Sequence, residues 1–173
     1  MNTLLTLVAI LQSFSISLGV GSSTLAVTNF FVAIADAKID ETERKMMGIA
    51  YVVLRVAMIL ILTTTVLLLA GTFVRTGYVP FSPFYVAQLV VLFVLFLNAV
   101  LMTLRIMPST FGPAFQAGNW YTLGTLQALF AQSLTNFTYL QFFLSYIAGL
   151  VLMVSVINGT MAYLKHQQQK KEV

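Results

Sequence analysis

Residues 4–35 carry no charged side chain. That run is longer than the ~20 apolar residues needed to cross about 30 Å of hydrocarbon. Few folds are open to a chain that begins this way, and the remainder narrows them further. Only 8% of its 173 residues are charged and 59% are hydrophobic, with a mean hydropathy of +0.92. A soluble domain is about a quarter charged and under half apolar. So short a chain cannot bury this much apolar surface in itself, so the expected solvent is lipid. No basic n-region or small-residue cleavage site marks the start, so Met1 onward is expected to be mature protein.

Charge gathers in residues 30–55, FFVAIADAKIDETERKMMGIAYVVLR. This stretch holds four of the five acidic residues (Asp36, Asp40, Glu41, Glu43) and four of the nine basic ones (Lys38, Arg44, Lys45, Arg55). Asp40 followed three residues later by Glu43 matches a capping box, which predicts a helix start. Asp40–Arg44 and Glu41–Lys45 then stand at i,i+4 with the acid first, worth about 0.3–0.5 kcal/mol each. The rival reading is a metal site built from Asp36, Asp40 and Glu43. A calcium loop of the EF-hand type needs oxygen ligands at alternate positions and a central glycine, and DAKIDETE has neither. A solvated helix start is the preferred reading.

The expected fold is all-α: a polytopic bundle of five transmembrane helices in a single domain. The approximate spans are 4–35, 41–74, 84–104, 119–137 and 138–163. Arg55 and Arg75 frame the second span, and their separation of 20 residues corresponds to about 30 Å of helix. Placing Arg55 at the interface leaves residues 25–35 and 41–54 as a helical hairpin protruding from the membrane. Its Phe30, Phe31, Ile34, Met47, Ile49 and Tyr51 need cover from another subunit, a partner or the rest of the chain. The third span closes at Arg105. Pro108, Gly112 and Pro113 make residues 106–118 read as a loop.

Residues 119–137 are two-faced. Leu123, Leu126, Phe130, Leu134 and Phe137 gather on one side, and Thr125, Gln127, Ala128, Gln132 and Thr135 on the other. The polar face has no charge, which favours a spanning helix over one lying on the surface. The last span ends before a polar tail, residues 165–173. With five spans, the hinge, Arg105 and the C-terminal lysines share a face and Arg75 stands alone opposite. The positive-inside rule then puts the N-terminus outside and the C-terminus in the cytoplasm.

Several polar residues fall inside these spans. Asn98 lies mid-span and must find a hydrogen-bond partner, in an interhelical bond rather than a substrate contact. Gln127, Gln132, Gln141 and Ser145, with Asn98, would line a polar path if their faces converged. Ala9, Ser13, Ser17 and Gly21 recur every four residues as a small-residue seam for close helix approach. The following GSST is not a phosphate loop, since no lysine follows and no strand precedes. The sequons at Asn136 and Asn158 fall at or inside the membrane and are read as chance.

Function is bounded mainly by exclusion. The absence of cysteine removes disulfides, thiolate nucleophiles, iron–sulfur clusters and Cys-ligated zinc. A single histidine, His166, cannot supply a bis-histidine haem. No cofactor is expected, and no basic patch with interleaved aromatics suggests nucleic acid. No Ser/His/Asp set is present, so an enzyme is disfavoured. Two readings remain. One is a non-catalytic structural, assembly or partner-binding component, self-associating or joined to a membrane-protein partner. The other is a channel or transporter subunit with a path between the third, fourth and fifth helices.

The order of features has a likeness. A long first span with a G-x-G sequence is followed by D-x-K-I-x-x-x-E, an Arg in the second span and an Asn in the third (LFLNAVL). This pattern resembles a group of small uncharacterised bacterial five-span membrane proteins and covers most of the chain. The resemblance implies a multi-pass protein of a bacterial inner membrane. Over some fifteen residues, the D-x-K-I segment is also similar to the A-D-G-x-I pattern of TerB-like domains, with Ala37 in place of the glycine. Neither resemblance assigns a functional residue.

Overall fold

The computed structural model describes residues 3–35, 40–79, 81–108 and 111–171. Within them the chain forms five helices: α1 (Thr3–Ala35), α2 (Glu41–Thr76), α3 (Pro83–Thr103), α4 (Gly112–Ala131) and α5 (Tyr139–Lys171). No strand occurs among the described residues. Four of the helices, α1, α2, α3 and α5, are long and apolar enough to cross a membrane.

Local chemistry sets the helix ends. Asp40 caps α2: its carboxylate accepts the Glu43 N–H at 2.6 Å, and Glu43 accepts the Asp40 N–H at 3.1 Å. This is the capping box expected from the spacing. Glu41 and Lys45 pair at 3.0 Å, the one salt bridge among the described residues. The second expected pair does not form among the described residues: the Asp40 carboxylate is engaged by the cap, and the Arg44 backbone N–H donates to the Asp40 carbonyl at 3.1 Å. α2 ends where Gly77 turns left-handed (φ 75°) and its N–H closes on the Phe73 carbonyl at 2.8 Å.

Three boundaries differ from the sequence reading. The stretch read as a loop through residue 118 is helical from Gly112. Pro113 opens α4 instead of breaking it, since a proline in the first helical turn forfeits no hydrogen bond. The same helix stops at Ala131, and residues 132–138 are not helical, so 119–137 is not one helix. The tail read as polar and separate continues α5 to Lys171.

α1 and α2 form an antiparallel hairpin, the most extensive pairing in the bundle. Near its far end Gly71 lies so close to α1 that a Cβ on it would fall 2.4 Å from a Leu5 methyl. α4 packs against α1, α3 and α5. Eight of its 20 residues are buried, against six of 33 in α1. The helix that lacks a long apolar window is thus enclosed by helices that have one. Such a helix needs no hydrophobic outer face, because its solvent is other helices. Trp120, Leu123 and Leu126 anchor the main core with Ile61 of α2, Leu95 of α3 and Tyr146 of α5.

A second cluster joins Ala114 and Ala117 of α4 to Ile157 and Met161 of α5, with Phe30, Phe31 and Ile34 of α1 packed against it. The rest of the chain therefore covers the α1 side of the hairpin. The α2 side keeps Ile49, Tyr51 and Val52 exposed. Two bonds align the helix ends: the Gln168 amide donates to the Ile34 carbonyl, and the Tyr139 hydroxyl to the Phe81 carbonyl at 2.5 Å. Arg44, Lys45, Arg55, Arg105, Lys165 and Lys170 accordingly lie toward one end of the bundle and Arg75 toward the other.

Candidate functional site

Hydrogen bonds between side chains tie the helices together at several junctions. Asn98 is 2% exposed and its amide donates at 3.1 Å to both the Gly112 carbonyl and Gln116 Oε1. Those two bonds use both of its N–H groups and tie the end of α3 to the start of α4. Gln127 donates to Ser13 Oγ at 2.8 Å, joining α4 to α1. Gln12 donates to Thr65 Oγ1 at 3.0 Å, joining α1 to α2. The Tyr146 hydroxyl donates to Asn119 Oδ1 at 2.6 Å, joining α5 to α4.

The five residues expected to share a path do not all converge; only Gln141 and Ser145 line one groove together. Asn98 is spent on the α3–α4 junction. Gln127 faces α1, away from Gln141 and Ser145. Gln132 stands exposed at the C-cap of α4. Gln141 caps the start of α5, accepting the Thr138 N–H at 2.8 Å while its own N–H meets Thr138 Oγ1 at 3.2 Å. Ser145 lies on an open groove of about 410 Å³ between α4 and α5, together with Gly149 and Tyr121.

The small-residue seam also lies differently from a seam inside the bundle. Ser17 and Gly21 face outward, Ala9 lines a cavity toward α2, α3 and α4, and Ser13 is half-buried; nothing would meet a Cβ on Gly21 within 4 Å. The buried stripe of α1 is instead Gln12, Ser15, Ile16, Gly19, Ser22 and Ser23. Of the metal candidates, Asp36 lies outside the described residues, and Asp40 and Glu43 are engaged in the α2 cap. No cluster of three or more His, Cys, Asp or Glu able to hold a metal occurs among the described residues.

One cavity collects polar groups from four helices. It measures about 210 Å³ and is partly open. Gln12 and Ser13 reach it from α1, Thr65 from α2, Gln88 from α3 and Gln127 from α4. Sequence reasoning singled out Ser13 and Gln127 and missed the rest. Gln12 carried a signal, as it stands in register with Ile16, Gly19 and Ser23 on the buried side of α1. Gln88 carried none beyond being an amide in an otherwise apolar stretch of α3. Comparison with known protein families, with curated proteins and with solved structures gave no match for this chain.

Proposed function

We propose that this chain is a five-span integral protein of a bacterial inner membrane, N-terminus outside and C-terminus in the cytoplasm. In this reading it is a non-catalytic structural or assembly component that joins copies of itself or a membrane-protein partner. The observation that carries the reading is the pairing of its interhelical polar groups. Asn98 with Gln116, Gln127 with Ser13, Gln12 with Thr65 and Tyr146 with Asn119 each serve one helix junction. Polar side chains used this way hold helices together where lipid gives no hydrophobic drive between them. The outward Ser17 and Gly21 offer a second copy or a partner helix a close approach, with lipid on the other sides.

The test is the mass of the particle extracted in mild detergent and of the same protein in nanodiscs. A parent larger than one chain that Ser17→Leu reduces to a monomer, while an exposed change off the seam such as Leu18→Ala leaves it intact, is the expected result. A parent that is monomeric and captures no membrane protein in crosslinked native membranes ends the assembly reading. Liposome flux of potassium ions or glycerol above the protein-free level would replace it with the channel or transporter reading.

A further inference from the structure

We propose that the cavity between α1, α2, α3 and α4 is a binding site for the head of an uncharged amphiphile, one that both accepts and donates hydrogen bonds, of the diacylglycerol or quinol type. The proposal rests on the membrane-spanning reading above. Its first support is unused hydrogen-bonding capacity. Among the described residues nothing bonds the Gln88 amide, and no partner meets the side-chain carbonyls of Gln12 or Gln127. Thr65 accepts from Gln12 and its own hydroxyl proton has no acceptor there. Amides and hydroxyls left unpaired in an apolar medium are costly, so an occupant that bonds them is favoured. A glutamine amide offers two donors and a carbonyl acceptor, which matches a head bearing both hydroxyl and carbonyl or ether oxygens.

The second support is charge. Among the described residues, no Asp, Glu, Lys, Arg or His lines the cavity. A phosphate-bearing head placed there would lose hydration with no counter-charge to replace it. A neutral head carries no such penalty.

The third support is shape. About 210 Å³ is less than the ~300–1,000 Å³ of sites that enclose a whole small molecule. It suits a head whose tail stays outside. α2 packs along its length with α1 and has no comparable pairing with α3 among the described residues. The cavity lies in that space, and Leu68, Leu69 and Leu89 give it apolar walls. A tail leaving between α2 and α3 would meet lipid at once.

The experiment uses the full chain in phosphatidylcholine nanodiscs, with bound lipid read by native mass spectrometry. Dioctanoylglycerol and a short-tailed ubiquinol are titrated separately, with dioctanoyl-phosphatidylglycerol as the charged comparator. One of the two neutral probes should form a saturable one-to-one adduct, and which one does so names the source. Gln88→Leu should weaken that adduct about tenfold, the net worth of one hydrogen bond. It should leave the unfolding midpoint without ligand unchanged or higher, because Gln88 has no partner to lose. Ser145→Ala, in the groove between α4 and α5, should leave the adduct intact.

Phosphatidylglycerol binding as well as the neutral probes overturns the proposal. So does saturable binding that Gln88→Leu does not weaken, or a cavity that takes only water. A chain that fails to enter nanodiscs at all fails the membrane reading, and does so before any probe is added.

Discussion

Trp120 of α4 lies so close over Gly19 of α1 that a Cβ built on the glycine falls 2.2 Å from two of its ring carbons. The ring is fully buried and has nowhere to retreat. Glycine is therefore required at this crossing for its missing side chain, and its backbone is ordinary helix. Gly19→Ala should lower stability by about 1–3 kcal/mol through overpacking. The nearby Gly21→Ala, with open space around it, should be neutral or gain up to ~1 kcal/mol of helix propensity. Detergent unfolding followed by the emission of Trp120, the single tryptophan, measures both. Equal midpoints for the two variants would refute the close approach.

That crossing also shows where sequence reading stops. Ser13, Ser17 and Gly21 and the neighbouring Ser15, Gly19 and Ser22 or Ser23 are equally good small-residue stripes on one helix. In a lipid-facing helix the outer residues are as apolar as the inner ones, so periodicity does not separate the faces. Ile16, which reads as a position beside the seam, is 2% exposed and belongs to the core. The α2 start was legible because Asp40 and Glu43 act locally, within one turn. The ends near Arg75 and Arg105 were legible because a charged side chain closes each apolar run there. The start of α4 was not, because Gly112 and Pro113 suit a loop and a first helical turn alike. The cavity was least legible of all, since its groups come from four helices and no local pattern links Gln12 to Gln88.

The cap of α2 gives a second prediction. Asp40→Ala removes the acceptor for the Glu43 N–H and should cost about 0.5–2 kcal/mol, whereas Asp40→Asn keeps an acceptor and should cost much less. Thermal unfolding of the three proteins, with and without millimolar divalent cation, checks this. A cation-dependent rise in the parent that both variants lose would show that the carboxylate is a ligand instead.

The Tyr146–Asn119 bond gives a third. Asn119 is fully buried, and its amide also donates to the Phe115 carbonyl at 2.7 Å. Tyr146→Phe leaves Asn119 Oδ1 without its donor while keeping the ring stacked on Phe142 at 5.5 Å. Interhelical hydrogen bonds in membranes average about 0.6 kcal/mol and reach about 1.7. The buried setting places this one toward the upper figure. Tyr146→Phe with Asn119→Leu should recover part of the loss, since no orphaned acceptor then remains. A double-mutant cycle on unfolding free energy tests it, and simple additivity would mean the bond contributes nothing.

The final prediction concerns which end of the bundle faces the cytoplasm. α1, α2 and α5 have 33, 36 and 33 residues, each about 50 Å of helix, whereas α3 with 21 and α4 with 20 are about 30 Å. Only the shorter pair matches the hydrocarbon thickness. The contact of Gln168 with Ile34 keeps α5 beside α1 at the overhanging end, and Arg44, Lys45, Lys165 and Lys170 lie there. Among the described residues, Arg75 is the single basic one toward the other end. An excess of lysine and arginine marks the cytoplasmic side, so the overhang should be cytoplasmic. The chain has no cysteine, so single cysteines can be introduced without background. Thr76→Cys and Gln169→Cys, both exposed, should react with a membrane-impermeant maleimide from opposite sides of sealed vesicles. Labelling of both from one side would require an even number of crossings, and α4 would then have to sit in the bundle without spanning.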